Sequence, residues 1–304
     1  MEWSFVRYLS AKKSVDDRSL NRRVWASLEN EIRHHSGNTS LRILELGMGI
    51  GTMFQRMLEW GLIEEAEYIG IDAEKENIET ARDTIPLWVK EQGWNAQAFD
   101  LEPYQNRLFH GVTYAFLRAD LYDFLQQTRW QDYFDLVIAN AVLDLVDLKL
   151  ALPLIRNCLK QNGLGYFTIN FDGLTAFEPI IHAELDEQII HLYHQSMDER
   201  CINGKNSGES RTGRRLFSAL GQAGFEILQA GSSDWAVFPR GGHYSADEGY
   251  FLHFILHFFE ETIPKYPQID PNDFQHWLKI RRSQVDQGKL IFLAHQWDFL
   301  VRKQ

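Results

Sequence analysis

The chain has 304 residues, 44% of them hydrophobic, which is enough to bury a proper core in one large domain or in a core with a second lobe. A formal net charge of -11 and a pI near 5.5 disfavour non-specific attraction to phosphate backbones, so no nucleic-acid partner is expected. The two cysteines, Cys158 and Cys201, stand in no metal or redox spacing, and there is no leader pattern or apolar run of about 18 residues. A soluble, cytoplasmic protein without a membrane partner is expected, and oligomeric state is not legible.

Residues 1–40 read as an N-terminal helical arm, in which Val24, Trp25, Leu28 and Ile32 share one face of a helix from Leu20 to His34. Lys12, Lys13, Arg18, Arg22 and Arg23 are concentrated just before and within it, and a solvated charged face is the simpler account of them. The stretch Leu41 to Gly51, LRILELGMGIG, follows. Leu41, Ile43, Leu44 and Leu46 make a short apolar run of the kind that suits a parallel strand buried on both faces. Gly47, Gly49 and Gly51 then break it, and Met53, Met57 and Trp60 recur at helical spacing, so the order is strand, glycine turn, helix. Residues without a Cβ tolerate left-handed dihedrals and let a ligand lie on bare backbone, which the amides of a helix N-terminus then face. Thr52 stands where a nicotinamide fingerprint needs its third glycine. Glu45 puts a carboxylate inside the strand, where it requires a cationic or hydrogen-bond-donating partner.

An acidic residue followed by x-G-x-G-x-G, here Glu45, Gly47, Gly49 and Gly51, resembles the first motif of the class I S-adenosylmethionine-dependent methyltransferases. The resemblance covers Leu41 to Asn170 well and Arg211 to Leu228 more loosely. It implies S-adenosyl-L-methionine as cofactor and a methyl acceptor as the second ligand. One of the five N-terminal cations could then close over the cofactor carboxylate.

The remaining elements agree with it. Glu67 to Asp72 is a second strand, and an acid at its carboxyl end can accept both ribose hydroxyls of an adenosine in a dehydrogenase or a methyltransferase alike. A helix with Ile78, Ala81 and Ile85 follows, which Pro86 is expected to kink or end; residues 91–112 carry few periodic signals. A third strand, Val112 to Leu117, leads to Asp120. The resemblance makes Asp120 an acceptor for the adenine amino group, and its position also suits a cap of the helix from Leu121 to Gln127. Phe134 to Ala139 is a fourth strand, and in the family the following Asn140 and Ala141 belong to the methyl-transfer segment. No Pro-Pro-Tyr follows Asn140, which argues against the subclass that methylates exocyclic amines of adenine or glutamine amides, and neither cysteine follows a proline, which disfavours the cytosine-C5 type. Leu148 to Leu159 is a helix stopped at Asn162 and Gly163, and Leu164 to Asn170 a fifth strand.

Alternating strands and helices imply a Rossmann-like, doubly wound α/β sheet with its loops at one edge. Ser233 to Phe238 and Leu290 to Arg302 would bring it to seven strands, one of them antiparallel. The domain would then span residues 41–304, with helical inserts at about 175–210 and 246–287 overhanging that edge as a substrate cap. The expected cofactor site is Glu45, Gly47, Met48, Gly49, Gly51, Asp72, Ala73, Asp120, Leu121, Asn140 and Ala141. His191 with His194, and His253 with His257, have helical-face spacing but lack the companions of a zinc signature, so no metal is expected. His182, His243, His253 and His257 are candidate general bases because imidazole titrates near neutrality. Arg211, Arg214 and Arg215 suit a solvated helix face better than an acidic substrate. The function expected is methyl transfer to an oxygen, nitrogen or carbon nucleophile of a small molecule. The alternatives are a non-catalytic cofactor-binding module and a nucleotide-dependent dehydrogenase.

Overall fold

The computed structural model describes residues 2–35, 40–94, 96–101, 104–109, 111–202 and 205–304, those at 35, 96–101, 104–109, 202 and 205–206 by their backbone alone. The first half contains α1 (Phe5–Ser19), α2 (Arg22–His35), β1 (Leu41–Leu46), α3 (Thr52–Glu59), β2 (Ala66–Asp72), α4 (Lys75–Glu91), β3 (Ala96–Leu101), β4 (Tyr104–Phe109), β5 (Val112–Arg118), α5 (Leu121–Leu125) and β6 (Phe134–Asn140). The second half contains α6 (Leu148–Cys158), β7 (Leu159–Glu178), α7 (Ala183–Asp198), the short pair β8 (Cys201–Ile202) and β9 (Lys205–Asn206), α8 (Thr212–Gln222), β10 (Phe225–Ser232), β11 (Trp235–Val237), α9 (Glu248–Thr262), α10 (Pro271–Asp286) and β12 (Ile291–Lys303).

Seven strands form the body of the sheet in the order β10-β12-β7-β6-β1-β2-β5. β12 runs antiparallel to both of its neighbours and the other pairings in this body are parallel, which is the expected class. The seventh member is β10 rather than the segment at Ser233 to Phe238. β12 is thirteen residues long, so Trp297–Lys303 pairs with β10 while Phe292–Ala294 takes β11 as a short side strand. Beyond β5 the stretch without periodic signals supplies an antiparallel hairpin, β3 and β4, that widens the sheet.

Side chains alternate between two cores. In β1, Ile43 points to the face covered by α1 to α4, α9 and α10, and Leu44 and Leu46 point to the face covered by α5, α6 and α8. Pro86 does not end its helix, and the helix stop expected at Asn162 and Gly163 is corrected. α4 continues through Pro86, because Ile78, Ala81, Ile85 and Val89 are buried along it and hold the helix on the sheet despite one lost hydrogen bond. α6 stops at Cys158, and Asn162 and Gly163 sit within a bulge of β7 where its pairing with β6 shifts register. β7 also runs on to Glu178, so α7 begins only at Ala183. Among the described residues no helix is long and apolar enough to cross a membrane.

Candidate active site

The sheet order reverses at β1, with β2 on one side and β6 on the other, and ligands of such sheets bind at the carboxyl ends of the strands beside that switch. After β1 the chain turns through Gly47, Gly49 and Gly51, with φ of 61°, 55° and 87°. At Gly47 the lack of a side chain is needed twice over, because a Cβ there would stand 2.5 Å from Val142 Cγ2. Asp72, at the end of β2, accepts the Gly49 N–H at 2.8 Å through Oδ2, and through Oδ1 the Glu74 N–H at 2.8 Å and the Asn77 amide at 3.2 Å. It therefore ties the glycine turn to the start of α4.

Asp120 caps α5, its Oδ1 accepting from Tyr122 at 2.8 Å and Asp123 at 3.1 Å, while Oδ2 makes no hydrogen bond. Asn140 accepts from the Thr168 hydroxyl at 2.8 Å, and Ala141 takes a left-handed φ of 57°. The partner required by Glu45 is Tyr68, whose hydroxyl donates to Oε2. Burial pushes the Glu45 carboxyl up to about 8, against the lowering effects of that bond and of Arg56.

A single cavity of about 1350 Å³ brings Glu45, Gly47, Met48, Gly49, Asp72, Ala73, Asp120, Leu121, Asn140 and Ala141 to one wall. Gly51 stands behind that wall, where it starts α3 and faces Ile85. Drug-sized ligands occupy roughly 300–1,000 Å³, so the space suits a cofactor together with a second molecule. The wall fits an adenosine-bearing sulfonium cofactor: bare backbone at Gly47 and Gly49, an open carboxylate oxygen on Asp120, and acidic groups at the ends of β2 and β5.

The four candidate histidines lie away from this cavity. His182 caps α7, accepting from Leu185; His243 is exposed in a turn with Arg240; His253 meets Asp286 at 2.9 Å; and His257 stacks on Trp3 at 4.3 Å and meets Glu260. The helical spacing of His253 and His257 reflects packing of α9 against α10 and the N-terminal residues. Of the five N-terminal cations only Lys12 lines the cavity, and it is paired with buried Asp16. Lys13 pairs with Asp17 and Glu59, Arg18 with Glu248, and Arg22 lies over Trp60. Arg214 and Arg215 are taken by Asp172 and Glu209. Among the described residues no three His, Cys, Asp or Glu side chains gather as metal ligands.

Sequence reasoning missed the opposite wall. α1 presents Phe5, Tyr8, Leu9, Lys12 and Asp16 to the cavity, and Asp16 also accepts from the Trp235 indole at 2.9 Å. The available signal was a Lys12–Asp16 pair four residues apart on the apolar side of a helix. α7 adds Tyr193, the residues just past its end add Arg200, α9 adds Phe258 and Phe259, and β12 adds Gln296. Asp144, just after β6, completes this wall, and burial pushes its carboxyl up to about 6 despite its own backbone bond, Arg200 and Lys12.

A family model described as a methyltransferase domain matches residues 38–212, more than half of the chain. The chain belongs to that methyltransferase family, and its first motif and sheet place it in the class I group that uses S-adenosylmethionine. A search of curated proteins finds no match. Solved structures similar to it include the YcgJ protein from Bacillus subtilis, with 15% identity, 92% of this chain and 98% of that one covered, and a TM-score of 0.46. A SAM-dependent methyltransferase from Methanosarcina mazei has 13% identity, covers 90% and 96%, and gives a TM-score of 0.46. Haemonchus contortus phosphoethanolamine N-methyltransferase 2 has 12% identity, covers 99% of this chain and 57% of its own, and gives a TM-score of 0.45.

Proposed function

We propose that the protein transfers the methyl group of S-adenosylmethionine to a small molecule held in the same cavity. What carries this reading is the continuity of that cavity, which joins the glycine turn and the strand-end acids to an aromatic chamber under α1, α7 and α9. Asp72 would accept a ribose hydroxyl through the Oδ2 lone pair that the Gly49 N–H leaves free, and Asp120 Oδ2 would accept the adenine amino group. Gly47 and Gly49 let the cofactor lie on backbone, and Lys12 is the N-terminal cation placed to reach it. When bound, the cofactor supplies an electrophilic methyl on a sulfonium. The protein's own contribution is to orient the acceptor, exclude water and take up a proton. The segments around α7 and α9 to α10 act as the cap of the chamber. Native mass spectrometry of the purified protein tests the cofactor half: retention of S-adenosylmethionine or S-adenosylhomocysteine is expected, and exclusive retention of NAD overturns it. Tight cofactor binding with no acceptor turned over across chemical classes would favour the non-catalytic binding module.

A further inference from the structure

Two polar oxygens of the chamber wall are enclosed by protein and have no hydrogen-bond partner among the described residues. They are Asp144 Oδ1, in the short turn after β6, and Gln296 Oε1, on β12. Each can only accept, so what is missing at each is a donor. Leaving such a group unmade is costly in a closed site, and a bound ligand that brings N–H groups removes the cost. The remaining polar groups around Asp144 are few. From α1 come Tyr8 and the Lys12–Asp16 pair, from α7 comes Tyr193, and from just past its end Arg200; these charges and phenols interact electrostatically with Asp144 or with its tyrosine neighbours. The hydroxyls of Tyr8 and Tyr193 make no hydrogen bond among the described residues, and burial raises both above the ordinary phenol range, so they are neutral donors rather than bases.

The turn that carries Asp144 is clamped from the other side. Ser207 Oγ donates to the Leu145 carbonyl at 2.6 Å, and Gly208, with φ of 83°, lies so close that a Cβ would stand 2.0 Å from the Asp144 carbonyl oxygen. The backbone that carries Asp144, on the segment that follows Asn140 and Ala141, is held in place by these contacts.

Resting on the methyltransferase reading, we infer that the acceptor is a primary or secondary amine on an apolar body, and that Asp144 is the catalytic residue that receives its proton, with Gln296 accepting a second N–H. An ammonium brings several donors, which answers two acceptor-only oxygens, whereas a phenol or alcohol brings one. Its charge is also favoured by a carboxylate among aromatic faces such as Tyr8, Phe258 and Phe259. The amine enters as an ammonium and passes one proton to the Asp144 carboxylate. Its freed lone pair forms the N–CH3 bond as the methyl's bond to sulfur breaks, the electron pair of that bond staying on sulfur. The product leaves as a methylated ammonium, and Asp144 returns its proton to water. The positive charges of Arg200 and Lys12 favour the carboxylate form, so the proton is held only in passing.

The test uses the full chain and a panel of matched acceptors of similar size, such as 2-phenylethylamine and longer arylalkyl and alkyl amines, with 4-ethylphenol and the corresponding alcohols and carboxylic acids. Calorimetry with S-adenosylhomocysteine comes first, and failure to bind it defeats the methyltransferase reading itself. With cofactor bound, methylation of amines in preference to the other classes is expected. For the amine turned over, kcat/KM should rise with pH through about 6. Asp144→Asn should lower kcat/KM by about 10²–10⁴-fold, the usual range for a lost acid–base group, and abolish that acidic limb while leaving melting temperature and S-adenosylhomocysteine affinity unchanged. Gln296→Leu, which removes the orphan oxygen, should raise KM more than it lowers kcat. Methylation of phenols, alcohols or carboxylic acids alone, or of no panel member, overturns the amine class. An acidic limb that persists in Asp144→Asn overturns the role of Asp144.

Discussion

Replacing Asp72 with Ala removes a carboxylate that accepts three hydrogen bonds, from the Gly49 and Glu74 amides and from Asn77, at 2.8, 2.8 and 3.2 Å. A hydrogen bond to a charged group contributes on the order of 1.5 to 3 kcal/mol. Asp72 is half-buried at a cavity wall and Glu74 is exposed, so water can replace part of what is lost. The apo protein should therefore lose about 1 to 2 kcal/mol, or a few degrees of melting temperature at this size. If Asp72 also accepts a ribose hydroxyl, affinity for S-adenosylhomocysteine should fall at least ten-fold, since about 1.4 kcal/mol is one decade. Asp72→Asn keeps a carbonyl for the Gly49 N–H but sets its NH2 against the Glu74 and Asn77 donors and removes the charge, so stability should fall by a similar amount and affinity should also be reduced. Calorimetric titration and apo melting curves of both variants read this out. An unchanged dissociation constant in both, with melting lowered in Asp72→Ala, would leave Asp72 as a tie between the glycine turn and α4 and remove it from the ligand site.

Glu45 predicts a pH dependence of stability: its folded value near 8 lies above its ordinary 4.5, so its favourable contribution is complete below 4.5 and is lost as pH rises through 8. Glu45→Gln keeps an oxygen for Tyr68 and should flatten the fall in melting temperature between pH 6 and pH 9; parallel curves for the two proteins would refute the burial argument. Gly47→Ala should lower stability and weaken S-adenosylhomocysteine binding more than ten-fold, and Val142→Ala in the same chain should show favourable coupling of about 1 kcal/mol in a double-mutant cycle. An additive cycle would mean that the Val142 contact is not what excludes a side chain at position 47. Changing His182, His243, His253 or His257 to Ala should leave that affinity within about two-fold, because distant sites act independently. A lower melting temperature is expected for the His182 cap and for His253 beside Asp286, and loss of binding in any of the four would place a histidine at the site after all.

The cofactor half of the cavity was legible because its chemistry is local. A buried apolar run, three glycines with positive φ, and acids at strand ends are each set within a few consecutive residues, and the alternation of strands and helices fixes which edge they share. The same alternation foretold the antiparallel member of the sheet, but not how two short segments would share β12, with β10 on Trp297–Lys303 and β11 on Phe292–Ala294, since that is decided by strand pairing across the fold. Pro86 misled for a related reason: four buried side chains along α4 outweigh one missing hydrogen bond, and their burial is a tertiary fact. The acceptor half was closed to sequence reasoning. Tyr8, Lys12, Asp144, Tyr193, Arg200 and Gln296 come from five separate segments, with no spacing between them for a motif to record. Histidines drew attention because their intrinsic titration lies near neutrality, whereas Asp144 acquires its raised value only from the burial that folding imposes. The sequence by itself determined the fold class and the motifs that gather on the proposed cofactor wall. Only the tertiary structure decided which carboxyl is stripped of water and left without a partner, because desolvation is a property of packed surroundings and not of a residue type.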